Sequence, residues 1–170
     1  TNYNTKPSRG FRVIQGFSMG GYGASLLAVK FPELFSVCIN YDGGMWNWED
    51  MTSKSRKWQP VAPVLFDNDK IYYESNSSPW KFANLNKDKI KGQLQFRTLV
   101  GSLGLRLQKW RNHLTSLEIE MDYVDTECRH DLKCLHEKAG DGSFRLMAEQ
   151  FAKALTSEAK TGEELKVEGK

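Results

Sequence analysis

Residues 16–20 read Gly16-Phe17-Ser18-Met19-Gly20, and the residues on either side dictate how that pentapeptide must fold. The mostly apolar run Phe11-Arg12-Val13-Ile14 precedes it, and a helix-like run, Tyr22–Phe31, follows. A serine in a G-x-S-x-G between a strand and a helix sits on a sharp turn that lifts its hydroxyl clear of the backbone. Glycine is expected at both flanks because a Cβ there would meet the neighbouring strand or helix. The turn also aims the Met19 N–H and the positive end of the helix at negative charge forming beside Ser18. Ser18 is therefore a candidate nucleophile and Met19 a candidate oxyanion donor; the ordinary alternative is a glycine-rich turn with no chemistry.

Four segments read as strands: Phe11–Phe17, Ser36–Asp42, Leu94–Val100 and Glu118–Val124. Helical periodicity falls between and after them, at Tyr22–Phe31, Leu105–Leu117 and Gly142–Leu155. Alternating strands and helices predict an α/β fold with a parallel, doubly wound sheet and right-handed crossovers. The first two strands are largely apolar, as strands covered on both faces are. Between the second and third lies Gly43–Lys91, without sustained periodicity but carrying Trp46, Trp48, Trp58, Tyr72, Tyr73 and Trp80, and Pro60, Pro63 and Pro79. A connection that long is usually functional. Its aromatics are expected both to pack on the sheet and to line a pocket over Ser18.

Composition excludes some classes of function. The 170 residues carry 24 Lys and Arg against 21 Asp and Glu, mixed along the chain with no basic block, and nucleic-acid binding is not expected. No apolar run approaches the roughly 20 residues needed to cross a bilayer. The chain begins at Thr1 rather than methionine and reads as a processed, excised or incomplete product, silent on targeting. Of three cysteines, Cys38 lies in an apolar run and reads as a small core residue. Cys128 and Cys134 are read either as a disulfide or as two free thiols. A zinc site from Cys128, His130, Cys134 and His136 is the weaker reading, because the spacing fits no usual ligand pattern.

A serine hydroxyl needs a base within hydrogen-bond reach, and the histidines are His113, His130 and His136. His113 falls inside a helix and His136 at the start of another element. His130 follows the fourth strand, in a loop at the carboxyl edge of a parallel sheet, the edge that displays the serine turn. Serine first and histidine last is also the chain order of α/β-hydrolases.

The stretch Arg12-Val13-Ile14-Gln15-Gly16-Phe17-Ser18-Met19-Gly20-Gly21-Tyr22-Gly23-Ala24 through Phe31-Pro32-Glu33-Leu34-Phe35 resembles the esterase branch of the α/β-hydrolases. That branch holds the esterase D type S-formylglutathione hydrolases and the feruloyl and acetylxylan esterases. Tyr41-Asp42-Gly43-Gly44, Ser78-Pro79-Trp80, Leu99-Val100-Gly101 and Tyr123-Val124 to Arg129-His130-Asp131 resemble its further landmarks, in the same order. The resemblance runs from about Arg9 to Ala154. It implies hydrolysis of carboxylic esters or thioesters with Ser18 as nucleophile and His130 as general base.

Two departures matter. The branch places its catalytic acid just past the third strand, where this chain reads Gly101-Ser102-Leu103-Gly104-Leu105 and has no carboxylate. Asp42 and Asp125 are the candidate replacements. Each has an ordinary alternative, Asp42 as a structural residue beside the elbow and Asp125 as a turn cap. In addition, only ten residues precede Phe11, too few for the strands that precede the elbow strand in the branch or for the loop that supplies a second oxyanion N–H. The elbow strand is then an uncovered edge, open to another chain.

The resulting expectation is a partial α/β-hydrolase domain over residues 1–155. It has a parallel sheet of about four strands, its amino-terminal strands missing, a cap-like insertion over 45–92 and a polar tail over 156–170. The expected function is a serine esterase acting on a carbohydrate-linked acyl ester or a small acyl thioester, with no metal and no cofactor. Expected partners are a small-molecule or carbohydrate-linked ester, and either a homo-oligomer or a missing amino-terminal segment over the edge strand. The alternatives are a non-catalytic binding or assembly domain that has lost its acid, and an acyl transferase with the same nucleophile.

Overall fold

The computed structural model describes residues 6–53 and 61–168. Its centre is a four-stranded, wholly parallel sheet: β1 (Val13–Phe17), β2 (Val37–Tyr41), β3 (Gln95–Val100) and β4 (Met121–Asp125), ordered β1-β2-β3-β4. The register pairs Phe17 with Tyr41, Tyr41 with Leu99, and Val100 with Asp125. The carboxyl ends of all four strands therefore lie along one edge, the edge where ligands bind in open α/β sheets.

Period-two alternation divides the core between the two faces of the sheet. Cys38, Phe96 and Val100 look to one face, where they meet Ala24, Ala28 and Val29 of α1 (Met19–Lys30). Ala83 and Ile90 of α5 (Pro79–Ile90) and Leu107, Trp110 and Leu114 of α6 (Gly104–Ser116) complete that layer. Val37, Ile39, Tyr41 and Leu99 look to the other face, against Leu135 of α7 (Leu132–Ala139) and Leu146 and Met147 of α8 (Gly142–Glu168). Every residue of β2 is buried, as an interior parallel strand requires. β1 lies at one edge and pairs only with β2 among the described residues; its residues are half-buried except Gln15, which is exposed.

The expected fold class and the four expected strand segments agree with this architecture, with local differences. Phe11 belongs to a short 3-10 turn (Arg9–Phe11), not to the first strand, and its ring lies 5.8 Å from that of Phe151 on α8. The fourth strand starts at Met121, because Glu118 turns with φ +58° and Ile119 is drawn into the core. The helix expected to stop at Leu155 runs on to Glu168. Gly43–Lys91 is not irregular: its described residues form α2 (Trp48–Thr52), α3 (Ala62–Phe66), α4 (Lys70–Asn76) and α5. Three of these start on a side-chain cap, with Asn47, Asp69 and Ser78 accepting from the N–H of Asp50, Tyr72 and Lys81, as helix amino-termini demand. Trp58 and Pro60 lie outside the described residues.

Candidate active site

Ser18 occupies the turn between β1 and α1 with φ +57° and ψ −121°, a conformation that costs of the order of 1–3 kcal/mol and is found at functional turns. Two backbone bonds hold it there: the Ser18 N–H donates to the Tyr41 carbonyl (3.0 Å), and the Ser18 carbonyl accepts from the Tyr22 N–H (3.1 Å). Glycine is obligatory at position 16, where a Cβ would overlap the Gly20 carbonyl group. Gly20 itself faces open space, contrary to the expectation that both flanking glycines are crowded. The second crowded position is Gly21, wedged against Asn40, Gly16 and Gly43. Close passage of α1 over the ends of β1 and β2 is what excludes a side chain there.

The His130 ring reaches Ser18 from the loop after β4, with Nε2 2.8 Å from the Ser18 Oγ. Its Nδ1 lies 2.7 Å from Asp42 Oδ2. Asp42 follows β2 directly, is fully buried, and has a positive φ of +45° that turns its side chain across the sheet edge. Its other oxygen, Oδ1, accepts from the backbone N–H of Gly101 (2.9 Å) and Leu103 (3.1 Å). These are residues of the very turn that lacks a carboxylate. Of the two candidate acids, Asp42 is the one that meets the histidine. Asp125 ends β4 and accepts from the Glu127 N–H (3.2 Å), the turn-capping alternative.

A buried carboxylate with both oxygens occupied is an acceptor only. Its partner nitrogen on His130 must therefore be protonated, which leaves Nε2 with a lone pair directed at the Ser18 hydroxyl. The imidazole is further held by Phe17, whose ring stacks on it at 4.6 Å and 28°. The Cys128–Cys134 disulfide, with a Cα–Cα distance of 6.0 Å, closes the short loop containing His130. Both sulfurs are engaged with each other, so the zinc reading has lost two of its four ligands. Cys38 is the third cysteine; burial pushes its thiol up to about 12.

The other histidines stand elsewhere. His113, on α6, is half-buried against Trp80 (4.9 Å) and Trp110 (5.8 Å), and burial lowers its pKa. His136, on α7, lies 4.7 Å from the Tyr41 ring.

Asn40 is a site residue that the sequence reading passed over. Fully buried in β2, its amide donates to Ser25 Oγ (3.0 Å) and to the Gly43 carbonyl (3.2 Å), while Oδ1 accepts from the Gly43 N–H (2.6 Å). It thus pins the turn that presents Asp42. A polar amide inside the apolar run Val37–Tyr41 was the available signal, since a buried amide is retained only with its hydrogen bonds met.

Met19, the first residue of α1, presents its N–H at the helix amino-terminus without an acceptor among the described residues, and its side chain is exposed. Beside Ser18 opens a cavity of about 150 Å³, walled by Met19, Tyr22, Trp46, Met51, Leu65 and Phe66, with Gly44, Val61 and Leu103 completing it. The walls are almost entirely apolar. The Tyr22 hydroxyl points away to donate to the Ser77 carbonyl (2.6 Å). Of the other aromatics in this segment, Trp48 (5.5 Å) and Phe66 (5.2 Å) pack on the buried Tyr73, Tyr72 is exposed, and Trp80 packs edge-on against Trp110 at 5.2 Å.

A strained serine at a strand–helix turn, a histidine from the loop after the last strand and a buried carboxylate form the constellation on which acyl-serine chemistry recurs. Solved structures share this fold. An S-formylglutathione hydrolase from Staphylococcus aureus superposes with a TM-score of 0.65 at 14% identity, covering 88% of this chain and 58% of its own length. A fluorophosphonate-binding serine hydrolase of the same organism gives 0.65 at 14% identity, with 88% and 57% covered. A ferulic acid esterase gives 0.63 at 17% identity, with 85% and 54% covered. The chain thus spans somewhat more than half the length of these structural neighbours. No curated protein matches its sequence. Residues 1–94, which include the elbow, the strand bearing Asp42 and most of the pocket wall, match the family described as Putative esterase, and with more than half of its length inside that match the chain belongs to this esterase branch of the α/β-hydrolases.

Proposed function

We propose that the protein hydrolyses carboxylic esters through an acyl-serine intermediate. The observation that carries this reading is the unbroken relay from Ser18 Oγ through His130 to buried Asp42, with steps of 2.8 and 2.7 Å. His130 Nε2 takes the hydroxyl proton as Ser18 Oγ bonds to the acyl carbon, and the carbonyl electron pair moves onto oxygen. The Met19 N–H and the amino-terminus of α1 face that oxyanion. Collapse of the tetrahedral intermediate expels the alcohol, which receives the proton from His130. Water then repeats the sequence on the acyl-enzyme. Asp42 keeps Nδ1 protonated and balances the imidazolium while it exists.

The cavity beside Ser18 supports an apolar acyl group of modest size, held by Tyr22, Trp46, Met51, Leu65 and Phe66. Walls with so few polar groups favour an aliphatic or aromatic acyl chain over a polar one. Asp42, hydrogen-bonded both to the turn after the third strand and to His130, weighs against one of the two grounds for the non-catalytic alternative, the carboxylate missing from that turn. The other ground, the amino-terminal strands, is untouched by it. The test is a panel of p-nitrophenyl esters from acetate to decanoate, with Ser18→Ala, His130→Gln and Asp42→Asn. Turnover peaking at short to medium chains and abolished in Ser18→Ala is expected. Turnover that survives in Ser18→Ala contradicts the proposal.

A further inference from the structure

We infer that Arg106 forms a second, anion-binding subsite beside the acyl pocket, fitted to a carboxylate on the alcohol part of the ester. A second cavity of about 150 Å³ is lined by Asp50, Ser102, Leu103, Leu105, Arg106 and Lys109. It shares the Leu103 wall with the pocket over Ser18. The two are also joined through Trp46: its indole lines the acyl pocket, and the Arg106 guanidinium lies over its ring at 4.8 Å.

The charges in this second cavity are unevenly matched. Lys109 Nζ is paired with Asp50 Oδ1 at 3.3 Å, while Asp50 Oδ2 is buried without a hydrogen-bond partner among the described residues, so two cations face one carboxylate. Arg106, half-buried, has no hydrogen-bond acceptor and no carboxylate partner among the described residues, and its Nε is shielded from solvent. A guanidinium in that state is costly to leave unmatched. Its planar fork is suited to take a carboxylate in two parallel hydrogen bonds. Stacking on Trp46 already restricts the fork, which lowers the entropy lost on binding.

The position of the fork selects the half of the substrate it reads. The acyl group fills the apolar pocket, so the group that crosses the Leu103 rim toward Arg106 is the alcohol. The substrate class is therefore an ester of a hydroxy acid, an identification that rests on the proposed esterase reading.

The test compares 4-carboxyphenyl butyrate with 4-carbamoylphenyl butyrate, a neutral analogue of similar shape. Their intrinsic reactivities cancel when the ratio of kcat/KM values is compared between the native protein and Arg106→Gln. The ratio is expected to fall about tenfold or more in Arg106→Gln and to be partly restored in Arg106→Lys; an unchanged ratio overturns the subsite. Binding of 4-hydroxybenzoate and 4-hydroxybenzamide to Ser18→Ala protein, by calorimetry, needs no turnover. Preference for the benzoate, lost when Arg106→Gln is added and weakened by salt, supports the subsite even if no ester is hydrolysed, in which case only the esterase reading fails. Equal binding of the two compounds refutes the subsite whatever the kinetics show.

Discussion

Replacing Asp42 by asparagine separates the catalytic role proposed for it from its structural one. The amide oxygen can still accept from the Gly101 and Leu103 N–H groups, now held by Oδ1 at 2.9 and 3.1 Å. The NH₂ then takes the place of Oδ2 and faces His130 Nδ1, which lies 2.7 Å from that oxygen. An NH₂ there donates to Nδ1 and drives the proton onto Nε2, so the imidazole points an N–H at Ser18 and cannot accept its proton. In serine hydrolases of known mechanism this change costs ~10⁴ in kcat, about 5 kcal/mol of transition-state stabilisation at roughly 1.4 kcal/mol per decade. The stability cost is smaller, about 1–2 kcal/mol for a weakened charge-assisted bond, or roughly 2–8 °C in Tm for a chain of this size. Asp42→Ala differs in kind, leaving two half-buried N–H groups without their acceptor, at up to about 1–3 kcal/mol each. The assay is kcat on p-nitrophenyl butyrate beside thermal unfolding, with Asp125→Asn as the control. The reasoning is refuted if Asp42→Asn stays within tenfold of the native rate, or if Asp125→Asn loses as much.

Two further outcomes follow from the site and its surroundings. Reduction of Cys128–Cys134, or the double replacement by serine, releases the loop that carries His130; chain-entropy arguments put the closure of so short a loop at ~2 kcal/mol. The expected result is a reversible fall in kcat with dithiothreitol, larger than any change in KM, and no such fall in the already uncrosslinked double variant. His113 sets an acid-side stability limit, because burial between Trp80 and Trp110 lowers its pKa from 6.5. Below pH 6.5 the unfolded chain binds more protons at this site than the folded one, so stability rises with pH up to that point and is lost as pH falls below it. The Tm of His113→Gln between pH 7 and 5 is accordingly expected to decline less than that of the native protein.

Much of this site was legible in the residues themselves, for reasons that are local. A G-x-S-x-G after an apolar run and before a helical one carries its own turn, and His130 could be placed because the loop after a parallel strand always opens on the same edge. The acid was not legible in this way. Asp42 and Asp125 both stand at the carboxyl ends of strands and both carry a carboxylate. The choice between them depends on β2 lying between β1 and β3, which brings Asp42 within reach of Gly101, Leu103 and His130 together. That is a property of strand order, invisible in spacing along the chain. The helix Pro79–Ile90 was missed for a different reason: its apolar positions are interrupted by Lys81, Asn84 and Asn86. Even so, Ser78-Pro79 is an ordinary start signal, a capping serine followed by proline in the first turn. Asn86 is no disruption in the fold, because its amide donates to the Val29 carbonyl at 2.8 Å and ties α5 to α1.

The central claim is that this chain presents a serine activated by His130 and Asp42. Intact-mass and peptide mapping after exposure to diisopropyl fluorophosphate reads that claim directly, since only an activated serine attacks the phosphorus and expels fluoride. The account predicts one adduct per chain, on the peptide containing Ser18, absent in Ser18→Ala and slowed by orders of magnitude in His130→Gln and Asp42→Asn. A folded native protein that stays unlabelled, or an adduct on any other residue, would contradict it.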